Sequence, residues 1–207
     1  MRVGISVEEA LDLPSLAGTQ IVAGRSGLPG RITSVNMMEV PDIGPFLAAG
    51  ELLVTTGFPL RGDDRALARL IPMLASKGLS ALAIKQGRYV RVSTAMIDSA
   101  DRLGLPVLAL PAAASFNEIL SDVLGTIMGR QALRLERSVT IHDRLTAVVL
   151  AGGSFPELIR ALSDLIGCPA ALFDAGGQML ASFPELAGEP VATGSSRPIQ
   201  VGSTRHG

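Results

Sequence analysis

The side chains able to do chemistry in this chain of 207 residues are few and scattered. Glu39 and Asp42 lie close together, and Lys85 is one of two lysines, the other being Lys77. A lysine perturbed by a nearby carboxylate can exchange protons at neutral pH, so Glu39, Asp42 and Lys85 allow an acid–base reading. Thr55-Thr56-Gly57 sets two hydroxyls beside a flexible backbone, which suits hydrogen bonding to a small polar molecule. The single cysteine, Cys168, lies in the apolar run Leu165-Ile166-Gly167-Cys168-Pro169-Ala170, the context of an inert core thiol rather than a nucleophile. His142 and His206 are not at metal-ligand spacing, and one cysteine cannot build a thiolate zinc site. A P-loop, an H-E-x-x-H pair, a G-x-S-x-G elbow and a Cys-x-x-Cys pair are all absent. Gly24, Gly27 and Gly30 have the wrong spacing for a dinucleotide fingerprint and read as a turn-rich linker. The expectation is therefore no catalytic residue, no metal and no cofactor.

The bulk composition narrows the class further. A formal net charge of −1 argues against a nucleic-acid surface on the chain as a whole, because phosphate binding needs a basic footprint. Arg130, Arg134 and Arg137 fall at helical spacing, interrupted by Glu136, and read as a solvated helix face. With 47% hydrophobic residues, the chain is long enough to bury the core of one or two domains. Its start, Met1-Arg2-Val3-Gly4-Ile5-Ser6, lacks the apolar core of a signal peptide, and no apolar run approaches a bilayer's thickness. A soluble cytoplasmic protein is expected. Arginine far outnumbers lysine, and alanine and glycine are abundant, a usage typical of a GC-rich bacterial genome.

Caps and apolar periodicity mark the helices and strands that carry these groups. Ser6, Ser115 and Ser154 each precede a glutamate by three residues, at Glu9, Glu118 and Glu157, the pattern of a capping box opening a helix. Arg31–Val40 and Glu51–Thr56 read as strands separated by a short helical turn at Asp42–Ala48. Leu67, Leu70, Ile71 and Leu74 mark one helix face ending at Gly78, although Pro72 interrupts its backbone donors. Ala81–Ile84 then reads as a buried strand, Met96, Ile97, Ala100 and Leu103 as a helix stopping at Gly104, and Val107–Leu110 as another buried strand. Helix, glycine and apolar strand in tandem is the pattern of crossovers feeding a parallel sheet, so the fold expected is α/β with a mainly parallel sheet and flanking helices.

A helix from Ser115 to about Leu150 should follow, with an apolar stripe through Phe116, Ile119, Leu120, Val123, Leu124, Ile127 and Met128. The stripe thins through Leu135, Val139, His142, Leu145 and Val149. Its length suggests burial against its own domain first and a second copy of the chain after that, hence a homodimer. Ser154–Gly167 reads as an amphipathic helix, and Ala170–Asp174 with Gln178–Ser182 as a hairpin about Ala175-Gly176-Gly177. Ile199–Val201 fits one more strand. These last elements are too few to close a core, so the segment reads as truncated. The division expected is a domain over 1–113, a connecting helix over 114–151, and a partial domain with a flexible tail over 152–207.

The blocks Val7-Glu8-Glu9-Ala10-Leu11, Ile21-Val22-Ala23-Gly24, Val35-Asn36-Met37-Met38-Glu39-Val40-Pro41-Asp42-Ile43 and Gly50-Glu51-Leu52-Leu53-Val54-Thr55-Thr56-Gly57 resemble the N-terminal domain of PucR-type purine-catabolism regulators. The likeness runs over roughly 5–130, through Ala81–Ile84, Leu105-Pro106, Leu110-Pro111 and Phe116. Ile141-His142, Leu145 and Ala171-Leu172-Phe173-Asp174-Ala175-Gly176-Gly177 resemble the start of the GAF-like α+β middle domain of those regulators. The resemblance implies a cytoplasmic, metabolite-sensing region of a transcription regulator, whose DNA contacts come from a C-terminal helix-turn-helix with no counterpart in these residues. Leu186–Gly207 does not obviously continue the middle domain.

In open α/β sheets ligands bind outside the carboxyl ends of the strands. Those ends carry Glu39, Thr55, Thr56, Gly57, Lys85 and Pro111, a rim able to hold a small polar metabolite. Each also has a plainer use: Glu39 capping the turn at Pro41-Asp42, the threonines bonding local backbone, Lys85 solvated at a strand end. Three functions thus compete: a sensing and dimerising module, a small enzyme using Glu39 and Asp42 with Lys85, and a purely structural dimerisation module.

Overall fold

The computed structural model describes residues 3–85, 89–174, 176–184, 199–201 and 204–206, with backbone alone for 64–68 and for the last two segments. The chain forms two compact units, Met1–Ala132 and Leu133–Gly207.

The first unit is a three-layer α/β/α arrangement around a five-stranded sheet. Its strands in chain order are β1 (Ile5–Ser6), β2 (Gln20–Ala23), β3 (Arg31–Ile32), β4 (Ser34–Met37), β5 (Glu51–Thr55), β6 (Ala81–Lys85) and β7 (Val107–Leu110). Its helices are α1 (Val7–Leu11), α2 (Asp64–Ser76), α3 (Thr94–Leu103) and the first turns of α4 (Phe116–Leu150). The main sheet runs β2-β7-β6-β5-β4, with β4 to β7 mutually parallel and β2 antiparallel at the β7 edge. β5 and β6 are wholly apolar but for their ends, which fits strands covered on both faces.

Strand alternation divides the core in two. Leu53, Leu82, Ile84 and Val107 face Leu70, Ile71 and Leu74 of α2 and Met96 and Ala100 of α3. Leu52, Val54, Ala81, Ala83 and Leu108 face Val7 and Ala10 of α1 and Ile119, Val123 and Ile127 of α4. The expected face of α2 is therefore in place, and Leu67 lies outside the described side chains. Pro72 does not end α2; it is exposed, so the backbone bond it removes falls on the solvent side. α3 starts on Ser93, whose Oγ accepts from the Met96 backbone at 3.3 Å, and stops at Gly104 in the left-handed region.

Two parts of the first unit differ from expectation. Arg31–Val40 is not one strand: β3 pairs antiparallel with β1, while β4 enters the main sheet. Thr33 makes the break, its backbone N–H bonding the Gly50 carbonyl at 2.8 Å and so leaving both ladders. The glycine-rich stretch after β2 is more than a linker. Gly24 is left-handed, and its N–H donates to Asp101 Oδ1 of α3 at 2.6 Å. That stretch passes so close to Leu105 that a Cβ on Gly24 would lie 2.0 Å from the Leu105 carbonyl oxygen.

α4 runs unbroken over Phe116–Leu150, as the stripe indicates. In the first unit it buries Ile119, Val123 and Ile127, while Leu124 and Met128 are exposed. The broad stripe is thus two faces, of which one packs on the sheet.

In the second unit α5 (Phe155–Ile166) opens on Ser154, whose N–H and Oγ both donate to Glu157 Oε2, at 2.7 and 2.9 Å. It closes on left-handed Gly167. β8 (Ala170–Phe173) and β9 (Met179–Phe183) pair antiparallel and α5 packs on them, with Ile159 of α5 and Ala181 of β9 both buried. Asp174 Oδ1 organises the hairpin by accepting from Gly176 N at 2.9 Å and Gln178 N at 2.8 Å; Ala175 lies outside the described residues. β10 (Ile199–Val201) pairs with β11 (Thr204–His206) as a separate two-stranded ribbon. Cys168, expected as a core thiol, is instead exposed, in the link between left-handed Gly167 at the end of α5 and the start of β8.

Candidate functional site

The parallel strands bring their carboxyl ends to one rim in the registers Met37 beside Val54, Thr55 beside Ile84, and Lys85 beside Leu110. Glu39, Thr55, Thr56, Gly57 and Lys85 all lie on or just beyond this rim, but they do not all face the same way.

Thr55 is fully buried and alternates with Leu53 toward α2 and α3. Its Oγ1 accepts from the Gly57 backbone N–H at 2.9 Å, and Thr56 Oγ1 accepts from the Phe58 N–H at 3.2 Å. Both hydroxyls therefore shape the turn after β5. Gly57 is left-handed with φ of 74°, and the space beside it is filled: a Cβ there would lie 2.1 Å from Val90 Cγ2. Lys85 alternates with Ala81 and Ala83 toward α4, where its Nζ stands 5.0 Å from the centre of the Phe116 ring. Thr55 and Lys85 thus leave opposite faces of the sheet. Glu39 is exposed after β4, and neither it nor Asp42 makes an ion pair with Lys85 among the described residues.

Two features of the rim gave no signal in sequence spacing. The first is a cleft of about 350 Å³ lined by Pro41, Asp42, Pro45, Leu60, Arg69 and Met73, with Gly44 and Leu70 completing it. The loop from β4 to β5 forms one wall and α2 the other. That loop is anchored at Glu51, whose Oε2 accepts from Asn36 Nδ2 and from the Ala48 N–H, each at 3.1 Å, while Asn36 Nδ2 also reaches the Phe46 carbonyl. Leu60 and Leu70 make an apolar floor, and Asp42 and Arg69 are exposed. Such a cleft suits a small molecule with an apolar body, an acidic group for the guanidinium and a donor for the carboxylate. The second is a stack on the far side of Gly57: Arg61 lies 3.5 Å over the Phe58 ring, and Tyr89 meets Phe58 edge-on at 5.0 Å. In a chain with one tyrosine and six phenylalanines, an aromatic pair at a strand rim was the available hint.

Among the described residues no group of histidine, cysteine, aspartate and glutamate could hold a metal ion, and no helix is long and apolar enough to cross a membrane.

The five-stranded sheet thus carries at its carboxyl rim a cleft walled by the loop after β4 and by α2. The model of the purine catabolism regulatory protein-like family matches residues 9–127, more than half of the chain and nearly all of the sheet, and the chain belongs to that family. It is 28% identical over 186 residues to the purine catabolism regulatory protein of Bacillus subtilis (strain 168), a match covering 89% of this chain and 35% of that protein. The chain thus spans about a third of that relative's length. Among solved structures it is similar to the CBS and DRTGG domains of the regulatory region of a Clostridium perfringens pyrophosphatase, with a TM-score of 0.39 and 12% identity over 86% of this chain and 67% of that one. That likeness is below what defines a shared fold.

Proposed function

We propose that this chain is the metabolite-sensing region of a cytoplasmic transcription regulator. On this reading the first unit binds a small polar effector, and the second is the start of a GAF-like domain. α4 links them and supports self-association. DNA contact belongs to a helix-turn-helix elsewhere in the regulator, and the near-neutral charge of these residues agrees with that division. The observation that carries the reading is family membership over the same α/β unit whose rim bears a cleft.

The effector site we propose is that cleft, with Arg69 holding an anionic group and Asp42 a donor, and Glu39 close by in sequence. Thr55, Thr56 and Gly57 shape the adjoining turn instead of touching the ligand. A second reading places the anionic group on Lys85, which the end of β6 holds at the same rim. An enzyme using Glu39 or Asp42 with Lys85 is the weaker alternative, because the cleft opens on the α2 face and Lys85 packs toward α4.

Thermal-shift screening of small anionic and amphoteric metabolites tests the reading, since a ligand bound by the folded state alone raises its stability. For any compound that stabilises the chain, Arg69→Gln and Asp42→Asn should weaken binding roughly ten- to a hundredfold, the effect of losing a charge-assisted contact. If Lys85→Ala and Glu39→Gln do so instead, the second reading holds. Turnover of any bound compound defeats both.

A further inference from the structure

We infer that the exposed face of α4 is the seam of a parallel, two-stranded coiled coil with a second copy of this chain. The inference rests on the self-association proposed above and adds its face, orientation and register.

Within the second unit, α4 presents two faces. Ile141, Leu145 and Val148 are half-buried on one. Leu135, Val139, His142, Thr146 and Val149 lie roughly 120° around the helix from them, and every one is exposed, Leu135 by 67% and Val149 by 56%. These five follow one another at alternating intervals of four and three residues, the spacing of a seam that meets a partner helix every second turn. In sequence the same spacing extends back through Ala132 and Met128, which are also exposed. A purely solvated helix face has no reason to keep apolar residues on that repeat.

The character of each position argues for self-pairing and for its direction. Leu135 in one core position and β-branched Val139 in the next match the preference of parallel dimers. Arg130, Arg134, Arg137 and Arg144 all fall outside the seam, so no cation is forced into it. The acidic flanks are Glu136 and Asp143. An antiparallel pair would set Glu136 beside Asp143 of the second copy, two like charges. A parallel pair sets Glu136 beside Gln131 and Asp143 beside Ser138, which are neutral partners. His142 and Thr146 are the polar members of the core. A polar core residue fixes register at a cost in stability, so the two match His142 to His142 and Thr146 to Thr146 across the seam.

The test uses the full chain with Cys168→Ser, so that introduced cysteines are the only thiols. Sedimentation should show a dimer at micromolar concentration, and Leu135→Asp with Val139→Asp should give a monomer that still melts cooperatively, with a midpoint that no longer rises with protein concentration, because both residues are exposed within one chain. His142→Leu should tighten the dimer by roughly tenfold. Leu135→Cys and Val149→Cys should each form a disulfide with its own copy under mild oxidation, since a parallel in-register seam brings identical residues together. A strict monomer at high micromolar concentration defeats self-association itself. A dimer that survives the double aspartate variant moves the interface to another face. A Leu135→Cys chain that forms no disulfide with its own copy but does so in a mixture with a Thr146→Cys chain makes the pairing antiparallel and overturns the orientation alone.

Discussion

Arg130 of α4 grips Glu9 of α1 in a two-pronged ion pair, Nη2 to Oε1 at 2.9 Å and Nη1 to Oε2 at 3.1 Å, across 121 residues of chain. The same carboxylate accepts from the Ser6 N–H at 2.7 Å, while Ser6 Oγ accepts from the Glu9 N–H at 3.0 Å. One side chain therefore completes the capping box of α1 and fastens that helix to α4.

The pairing sets an acid dependence. The Arg130 hydrogen bonds, with the Ser6 N–H bond behind them, hold the Glu9 carboxyl at about 2, against an ordinary value of 4.5. A carboxyl depressed in the folded state contributes stability above the unfolded value. That contribution is lost as pH falls from about 4.5 toward 2. Both side chains are more than a third exposed, so solvent screening limits the pair to about 0.5–1 kcal/mol. Arg130→Ala should lower stability at neutral pH by that amount and flatten the acid limb of the pH–stability curve. Urea melts at neutral pH and at about pH 3 check both effects.

Glycines at three left-handed positions should separate backbone strain from steric conflict. Gly62 has φ of 75° with nothing within 4 Å of where a Cβ would sit, so Gly62→Ala should cost only the strain, about 1–2 kcal/mol. Gly24→Ala adds a Cβ 2.0 Å from the Leu105 carbonyl oxygen, which is backbone and cannot rotate away. Gly57→Ala meets the Val90 side chain at 2.1 Å, which has some room to move. The expected order of loss is Gly24, then Gly57, then Gly62, with Gly24→Ala above about 3 kcal/mol. Chemical denaturation of the three variants gives the order, and Gly62→Ala as the worst of them contradicts it.

Much of this fold is legible in the sequence where local and long-range preferences agree. Ala81–Ile84 and Val107–Leu110 are apolar and lie between glycine-ended helices, and they are central strands. Ser6-to-Glu9 closes a full capping box, whereas Ser115 shows its forward bond, from the Glu118 N–H at 3.4 Å. What the sequence hides is pairing between distant segments. β2 reads as a short polar-edged run, and only its antiparallel fit to β7 makes it a strand. The break at Thr33 depends on Gly50, which is remote in sequence. The rim is hidden for a related reason: spacing locates Thr55 and Lys85 at strand ends, but the parity of β5 and β6 sends them to opposite faces. The Asp42–Arg69 cleft joins a loop to a helix, and no local pattern connects those residues.

Thr55→Val should be a stability mutation, not a binding one. The side chain is fully buried and nearly isosteric with valine, but its Oγ1 is the acceptor for the Gly57 N–H. Valine leaves that donor unpaired, at about 1–3 kcal/mol. Thr56→Val removes a similar bond, to the Phe58 N–H, at a half-exposed site where water can replace it, and should cost under about 1 kcal/mol. Melting curves of the two variants decide this. A Thr55→Val chain with normal melting but impaired effector binding would return Thr55 to the site.

The first turns of α4 belong to the folding unit of the sheet. Ile119 and Val123 are fully buried and Ile127 nearly so, packed with Leu52, Val54, Ala83 and Leu108, and Ser15 N–H adds a bond to Asp122 Oδ2 at 3.1 Å. Burying three such side chains is worth roughly 1.5–3 kcal/mol each. That sum is comparable to the whole stability of a small domain, about 5–15 kcal/mol. A chain ending at Ala132 should therefore melt cooperatively, while one ending at Ala113 should expose the α4 face of its sheet and aggregate or bind a hydrophobic dye. Within the intact chain, Val123→Ala should cost about 1–3 kcal/mol. Leu133→Ser, on an α4 side chain 67% exposed and outside the seam, should cost under about 0.5 kcal/mol. If the Ala113 chain folds as stably as the Ala132 chain, α4 is a connector from its first residue and the covering role assigned to Ile119, Val123 and Ile127 is wrong.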